Sequence, residues 1–173
     1  MNLLKTRKVK QLKKAYRMLR NLLSSDPSVH VQALLSLAHI GRLSGKPKWR
    51  RFISRKLRKQ YGVFLSPECF YGINFRIKHP VGVVIGSGVK IGDNVTIFQN
   101  VTLGGRRMGD GGGEKYPSID DGSVIFAGAV ILGDVKVGKH CTVGANAVVL
   151  LDVPDGSTVV GVPARIISRS ELI

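Results

Sequence analysis

The sequence predicts a mostly β protein, built as a coil of short parallel strands behind a short, basic helical segment. Between Val83 and Leu103 an aliphatic residue returns every sixth position on two tracks, and the same period resumes from Ile119 to Val149. A period of six is too long for an amphipathic helix and too regular for ordinary hairpins. A β-sandwich of short strands with glycine turns is the alternative, and the strict phase of the repeat argues against it.

Each hexapeptide supplies one short strand and one corner, and three of them close a triangular turn of the coil. Branched Ile and Val suit the inward strand positions because their stiff side chains stack well in a pleated wall. Gly and Asn, as in Ile91-Gly92-Asp93-Asn94, suit corners that need left-handed backbone angles.

The repeat also predicts an insertion. Leu103 and Ile119 are 16 residues apart, so one six-residue unit leaves ten residues outside the coil. The glycine-rich stretch 105–114 has the composition of a mobile loop, which makes it a candidate lid on a rigid scaffold. A tolerated surface insertion is the alternative.

Charge divides the chain near Tyr61. Residues 1–60 hold 17 Lys and Arg against the single acid Asp26, whereas the remainder holds ten of each sign, so the net charge of +16 belongs to the N-terminal third. The predicted organisation is a basic helical region at 1–60, a β-helix domain at 61–168 with an extruded loop at 105–117, and a tail at 169–173.

The basic region predicts three amphipathic helices. The first runs from Val9 to Leu23, and Asp26-Pro27 caps and starts a second that Gly41 and Gly45 end. Pro47 starts the third. The apolar positions of the second helix are Val31, Leu34, Leu35 and Ala38. Those of the third helix are Trp49, Phe52, Ile53 and Leu57.

The basic helices also raise the question of a partner. For the second helix we expect packing on the rest of the protein. The first and third suit an anionic membrane surface or an acidic glycan, with packing and solvated charges as the alternative. No recognition-helix motif, zinc-finger spacing or aromatic platform accompanies the charge, so we expect no nucleic-acid partner.

The sequence also bears on location and redox state. It holds no apolar run long enough to span a bilayer, and no secretory signal pattern follows the basic stretch Met1–Lys10. We therefore expect a cytoplasmic protein with peripheral contact at the inner face of the membrane. Cys69 and Cys141 lack metal-ligand spacing, which predicts free, buried thiols.

His79 is the candidate catalytic residue. Counting back by sixes from Ile85 reaches His79, where an aliphatic residue is expected. A polar ring at this phase indicates either a bulge that exposes it or a buried histidine with a specific partner. Imidazole suits general-base catalysis near neutral pH, and a purely structural histidine is the alternative.

Several ordered motifs within residues 61–168 carry a family resemblance. They resemble the serine acetyltransferase branch of the hexapeptide-repeat acyltransferases, and the residues concerned are 79–86, 100–105, 116–119, 127–133 and 161–165. The resemblance implies a left-handed parallel β-helix, homotrimers with active sites between subunits, and acetyl-CoA as co-substrate. No metal is expected.

The resemblance also implies site residues. His79 falls on the catalytic histidine, and three small residues fall where backbone groups border the pantetheine arm: Gly105, Ala127 and Ala145. Cations that can meet the CoA phosphates are Arg165, Lys136 and Lys139.

Three departures from the family pattern concern the acceptor. Lys78 replaces an Asp that meets the serine amine, Lys115 and Tyr116 replace an Arg and a second His, and the acid that orients the histidine is missing. We expect Glu68 or a backbone carbonyl to orient His79, and Tyr116 to bind a sugar hydroxyl.

These departures resemble the polysaccharide-associated offshoot of the family, including the colanic-acid-type acetyltransferases. The expected reaction is therefore O-acetylation of a sugar in capsule, exopolysaccharide or other cell-envelope glycan biosynthesis. Serine O-acetylation in cysteine biosynthesis and a non-catalytic, membrane-associated scaffold are the alternatives. A zinc enzyme of the β-helical carbonic anhydrase type is excluded, because the repeat holds only His79 and His140 where about three imidazoles must converge.

Overall fold

Two complete helices, within the residues that the structure describes, precede a three-sided β coil. The computed structural model describes residues 20–43, 45, 47–107 and 115–167; the predicted first helix lies largely outside these ranges, as do most of the glycine-rich loop and the tail at 169–173. Helix α1 spans Pro27–Leu43 and helix α2 spans Pro47–Tyr61. Within the described ranges neither helix is both long and apolar enough to cross a bilayer.

The start of α1 follows the prediction. The Asp26 carboxylate accepts hydrogen bonds from the backbone N–H groups of Ser28 (2.8 Å) and Val29 (3.4 Å), which satisfies donors that the first turn leaves free. The predicted apolar positions of α1 are buried: Val31, Leu34, Leu35 and Ala38.

Of the two glycines predicted to end α1, Gly41 lies within the helix, which continues to Leu43, whereas Gly45 (φ 63°) lies beyond its end. A Cβ atom at Gly41 would overlap the Trp49 indole, so this glycine permits the close approach of α2. Of the four apolar residues of α2, Ile53 and Leu57 are buried, whereas Trp49 and Phe52 are exposed.

Fifteen short strands form the three sheets within the described ranges, and every pair is parallel except β14–β15. The first sheet contains β1 (Phe64–Leu65), β4 (Val84–Ile85), β7 (Thr102–Gly104), β10 (Val130–Leu132) and β13 (Val148–Val149). The second contains β2 (Phe70–Tyr71), β5 (Lys90–Ile91), β8 (Ser118–Ile119) and β11 (Lys136–Val137). The third contains β3 (Arg76–Ile77), β6 (Thr96–Ile97), β9 (Val124–Ile125), β12 (Thr142–Val143), β14 (Thr158–Val160) and β15 (Arg165–Ile167).

The register of these sheets confirms the six-residue period and the insertion. Ile85 pairs with Leu103, 18 residues on, which is three hexapeptides. Ile91 pairs with Ile119, 28 residues on, so ten residues leave the coil between them. The second residue of the two-residue strands is buried, and together these side chains fill the coil with a continuous aliphatic core.

The register also corrects the phase assigned to His79. Ile77 pairs with Ile97, which is 20 residues on, so the first coil holds two residues more than the regular 18. The extra residues lie in the corner between Ile77 and Ile85, so the inward position is Ile77 and not His79. Of the two possibilities at this phase, the structure has the exposing bulge: His79 is exposed at φ 49°.

The three corners of the coil are named here by one residue each. The His79 corner joins the third sheet to the first (78–83, 98–101, 126–129, 144–147 and 161–164). The Gly105 corner joins the first to the second (66–69, 86–89, 105–107, 115–117, 133–135 and 150–152). The Asp93 corner joins the second to the third (72–75, 92–95, 120–123, 138–141 and 154–157).

The Asp93 corner shows why these turns hold Asn, Asp and Gly. Asn94 has φ 58°, a left-handed conformation that Asn tolerates. Asp93 accepts a hydrogen bond from the N–H of Ile73 (2.7 Å) and donates its own N–H to the Asp121 carboxylate (2.8 Å), which links successive coils. Gly92 is needed for close approach, because a Cβ atom there would lie 2.9 Å from the Asp121 nitrogen.

Candidate active site

His79 lies directly after β3 and is held through its backbone. Its N–H donates to the Ser28 hydroxyl (3.2 Å), and its carbonyl accepts from the N–H of Val81 (2.7 Å). Ser28 belongs to the first turn of α1, which Asp26 caps. The helix terminus therefore fixes the corner, while the imidazole stays exposed to solvent.

An open cleft of about 600 Å³ lies beside this histidine. One wall is the start of α1, with Asp26, Ser28 and Gln32; the other is the segment 76–81. Arg76 and Lys78 bring two cations to the second wall, and Asp26 brings a carboxylate to the first. The cleft thus presents both signs of charge near an exposed imidazole.

Below His79 a column of side chains follows the His79 corner from coil to coil. Backbone hydrogen bonds from Gly128 to the Gln99 carbonyl (3.0 Å) and from Asn146 to the Ala127 carbonyl (2.9 Å) fix the order of the coils. Gln99, Ala127 and Ala145 lie at equivalent positions of this corner, and their equivalent in the first coil is Val81, two residues after His79.

This column has the shape that a thin ligand needs. Neighbouring strands are about 4.8 Å apart, so three coil steps from His79 to Ala145 cover about 14 Å. Ala127 is half-buried and Ala145 is exposed, and neither side chain extends beyond a methyl group. A narrow ligand arm can therefore approach the backbone of this corner at Ala127 and Ala145.

Two aromatic residues flank the column. The rings of Phe98 and Phe126 stack with centroids 5.1 Å apart, and the His79 ring lies 6.1 Å from Phe98. Sequence reasoning missed Phe98, Phe126, Gln99 and Ser28. The two phenylalanines are 28 residues apart, the same spacing as Ile91 and Ile119, so their shared position was readable from the phase of the repeat.

The predicted residues near the glycine loop lie at another corner. Gly105, Lys115, Tyr116 and Glu68 all belong to the Gly105 corner, on the far side of the first sheet from His79. Within one chain Glu68 therefore does not reach His79. The half-buried Tyr116 ring covers Gly86, where a Cβ atom would lie 2.7 Å from it.

The three cations predicted to bind the CoA phosphates also lie in different parts of the coil. Arg165 pairs with Val160 at the end of the third sheet, next to the coil that follows Ala145, so it lies at the lower end of the column. Lys136 is in the second sheet, with its ammonium 3.6 Å from Asp120, and Lys139 is in the Asp93 corner. Only Arg165 shares the edge with Ala127 and Ala145.

Other titratable groups show no sign of a metal centre. In the part of the chain that the structure describes, no three His, Cys, Asp or Glu residues converge on a metal-sized site. Cys69 and Cys141 are buried, as predicted, and burial raises the pKa of the Cys141 thiol.

Comparison with known proteins identifies the family. Residues 116–150 match the bacterial transferase hexapeptide family (six repeats). The serine acetyltransferase of Bacillus pumilus (strain SAFR-032) is 50% identical over 120 residues, which cover 69% of this chain and 54% of that protein. The serine acetyltransferase of Mycobacterium tuberculosis (strain ATCC 25618 / H37Rv) is 40% identical over 145 residues, 84% of this chain and 62% of that protein.

Solved structures give the same result. Soybean serine acetyltransferase complexed with serine has a TM-score of 0.70 at 35% identity, with 88% of this chain and 68% of that chain covered. A serine acetyltransferase complex with CoA has a TM-score of 0.69 at 29% identity, covering 87% and 67%. The chain spans little more than half the length of the curated relatives it matches.

These relatives contradict the expected sugar acceptor. Relatives at 36–50% identity and the structural neighbours are named serine acetyltransferases, so the prediction of a glycan acetyltransferase of the polysaccharide-associated offshoot is wrong. One of these structural neighbours is a complex with CoA. Together with the parallel three-sheet coil, these relatives show that the chain belongs to the hexapeptide-repeat acyltransferase family.

Proposed function

We propose that the protein is an acetyl-CoA-dependent serine O-acetyltransferase, built on a left-handed parallel β-helix. The observation that carries the proposal is the column at the His79 corner, which places an exposed imidazole above two alanines and beside a cleft of mixed charge. The identity of the acceptor rests on the relatives, whose names specify serine.

The donor fits along the column. Small residues at Ala127 and Ala145 leave the backbone N–H and C=O groups of the corner accessible to a pantetheine arm. Arg165, at the lower end, supplies a guanidinium for the CoA phosphates. The thioester of acetyl-CoA then lies near His79, at the upper end.

The chemistry is a direct transfer. His79 accepts the proton of the serine hydroxyl while the oxygen attacks the thioester carbon, and a backbone N–H stabilises the resulting oxyanion. Collapse of the tetrahedral intermediate breaks the C–S bond, and the imidazolium returns its proton to the departing CoA sulfur. The products are O-acetylserine and free CoA, and no acyl-enzyme forms.

The cleft also suits the charges of free serine. The Asp26 carboxylate, on the α1 wall, faces the serine ammonium, whereas Lys78 and Arg76 on the other wall face the serine carboxylate. Lys78 therefore does not exclude an amino-acid acceptor, because the anion that the ammonium requires comes from another element.

A complete site requires a second copy of the chain. Gly105 and the residues around its loop are separated from Ala127 and Ala145 by the width of the first sheet. A groove between the β-helices of two adjacent subunits brings the Gly105 corner of one copy to the His79 corner of its neighbour. A homotrimer with three such grooves satisfies this arrangement for every copy.

The direct test measures free thiol released from acetyl-CoA with and without L-serine. We expect serine-dependent release and O-acetylserine by mass spectrometry. An Asp26→Asn variant keeps the helix cap, because Asn caps as well as Asp, but removes the charge. Its KM for serine should rise at least tenfold with little change for acetyl-CoA. No serine-dependent release from the wild type would overturn the proposal.

A further inference from the structure

One face of α2 combines exposed aromatic residues with cations. Phe52 is 55% exposed and Trp49 is 42% exposed, although Ile53 and Leu57 of the same helix are fully buried. Exposed basic residues surround the aromatic pair: Lys48, Arg51, Arg55, Arg58 and Lys59. We call these seven residues the α2 surface.

The aromatic pair is anchored on one side and open on the other. The Trp49 indole N–H donates to the Leu37 carbonyl (3.2 Å), and the close approach at Gly41 seats the ring against α1. Phe52 stacks on Trp49 with centroids 5.8 Å apart and planes 27° apart. The pair is therefore held in position, and its outer side is left to solvent.

The charged residues of this helix are all of one sign. Helix α2 contains seven Lys and Arg and no acid. The single acid of residues 1–60, Asp26, caps the start of α1. A shallow cavity of about 390 Å³ next to Phe52 is lined by Arg55, Lys56, Lys59 and Gln60, so an apolar wall and several cations meet in one depression.

We propose that the α2 surface binds the surface of an anionic lipid bilayer, with Trp49 and Phe52 in the headgroup region and the cations against lipid phosphates. Aromatic side chains flanked by Lys and Arg are suited to this interface, where apolar burial and electrostatic attraction add. The proposal is independent of the transfer reaction.

Geometry favours lipid over nucleic acid. Stacking on successive bases requires several open aromatic ring faces, and here Trp49 and Phe52 each cover one face of the other. Insertion into a headgroup layer needs only their exposed edges. A helix of 15 residues, about 22 Å long, can lie along a bilayer with its buried side still on the protein.

The chain carries its own probe, because Trp49 is its only tryptophan. The full-length protein is titrated with vesicles of phosphatidylcholine containing phosphatidylglycerol, and with vesicles of phosphatidylcholine alone. We expect salt-sensitive co-sedimentation and a shift of Trp49 emission to shorter wavelength with the anionic vesicles only.

Matched variants test the surface itself. Each basic residue near an anionic bilayer contributes about a fivefold gain in binding, so an Arg55→Gln/Lys59→Gln variant should bind about 25-fold more weakly. The control Lys90→Gln/Lys139→Gln removes the same charge from exposed positions of the coil and should bind within twofold of wild type. Phe52→Ser, at an exposed site, should also weaken binding.

Three results would overturn the proposal. The first is equal binding to both kinds of vesicle, and the second is an unchanged Trp49 spectrum on sedimentation with the anionic vesicles. The third is binding of the α2 surface to a single-stranded oligonucleotide but not to vesicles, which assigns the surface to nucleic acid instead. Circular dichroism melting of each variant confirms that the fold is retained.

Discussion

Replacing His79 by Asn separates the chemistry of this residue from its backbone geometry. His79 has φ 49°, and four asparagines of the coil share this left-handed conformation: Asn74, Asn94, Asn100 and Asn146. Ala at such a position costs about 1–2 kcal/mol, whereas Asn visits it routinely. His79→Asn therefore keeps the corner and removes the imidazole that we propose as the general base.

The expected effect is large on turnover and small on stability. Loss of a general base lowers turnover by about 10²- to 10⁴-fold. An exposed substitution with a compatible backbone changes stability by no more than about 0.5 kcal/mol. Thiol release from acetyl-CoA gives the first quantity, and thermal melting gives the second.

His140 provides the matched control. It is also exposed and has φ 53°, but it lies in the Asp93 corner, away from the column. His140→Asn should retain wild-type turnover. Wild-type turnover in His79→Asn, or equal losses in both variants, would refute the assignment of His79 as the base.

Three further changes have defined outcomes. Gly92→Ala places a Cβ atom 2.9 Å from the Asp121 nitrogen and should lower the free energy of unfolding by about 1–3 kcal/mol in chemical denaturation. Ala145→Trp blocks the column and should raise the KM for acetyl-CoA at least tenfold in steady-state kinetics. Burial and the nearby positive charge of Lys56 lower the pKa of His30. The neutral His30 ring therefore stabilises the fold above pH 6.5, and this stabilisation is lost as the pH falls below that value. His30→Gln should flatten the pH dependence of the melting temperature.

The first two of these changes each have a control variant. Gly104→Ala meets no atom closer than 3.8 Å, so its stability should stay near that of wild type. Ile73→Trp adds the same bulk at an exposed site of the Asp93 corner and should leave the KM for acetyl-CoA unchanged. Equal effects in variant and control, or an undiminished pH dependence in His30→Gln, would contradict the corresponding argument.

The pH prediction rests on the packing of α1 against α2. The Tyr61 hydroxyl and the Nδ1 atom of His30 form a hydrogen bond between the two helices. Burial raises the pKa of Tyr61. Protonation of His30 places a positive charge in this buried contact, close to Lys56, which weakens the packing of the two helices.

Much of the coil was predictable because its signal is local. Ile91, Ile119 and their equivalents repeat in phase, since each inward position needs a branched apolar side chain. The ten-residue insertion follows from the same arithmetic, and the Asp26 cap follows from local backbone chemistry. None of these inferences requires knowledge of distances between coils.

The site was less predictable, because a change of phase in one corner alters which residues face inward. Two extra residues in the first coil made His79 look like an inward position, and only the pairing of Ile77 with Ile97 shows that it is exposed. The prediction of a sugar acceptor is wrong for a related reason. Lys78 by itself disfavours an amino-acid acceptor, but α1 brings a carboxylate to the same cleft.

The sequence by itself determined the repeat, the insertion, the two buried thiols and the catalytic candidate, because each depends on residue type and on spacing along the chain. The tertiary structure alone decided which of the predicted site residues lie along the same corner of the coil. It placed Ala127, Ala145 and Arg165 below His79, assigned Gly105 and Glu68 to another corner, and left Trp49 and Phe52 exposed. The physical reason is that residues meet across coils according to hydrogen-bond register, which every extra residue in a corner shifts.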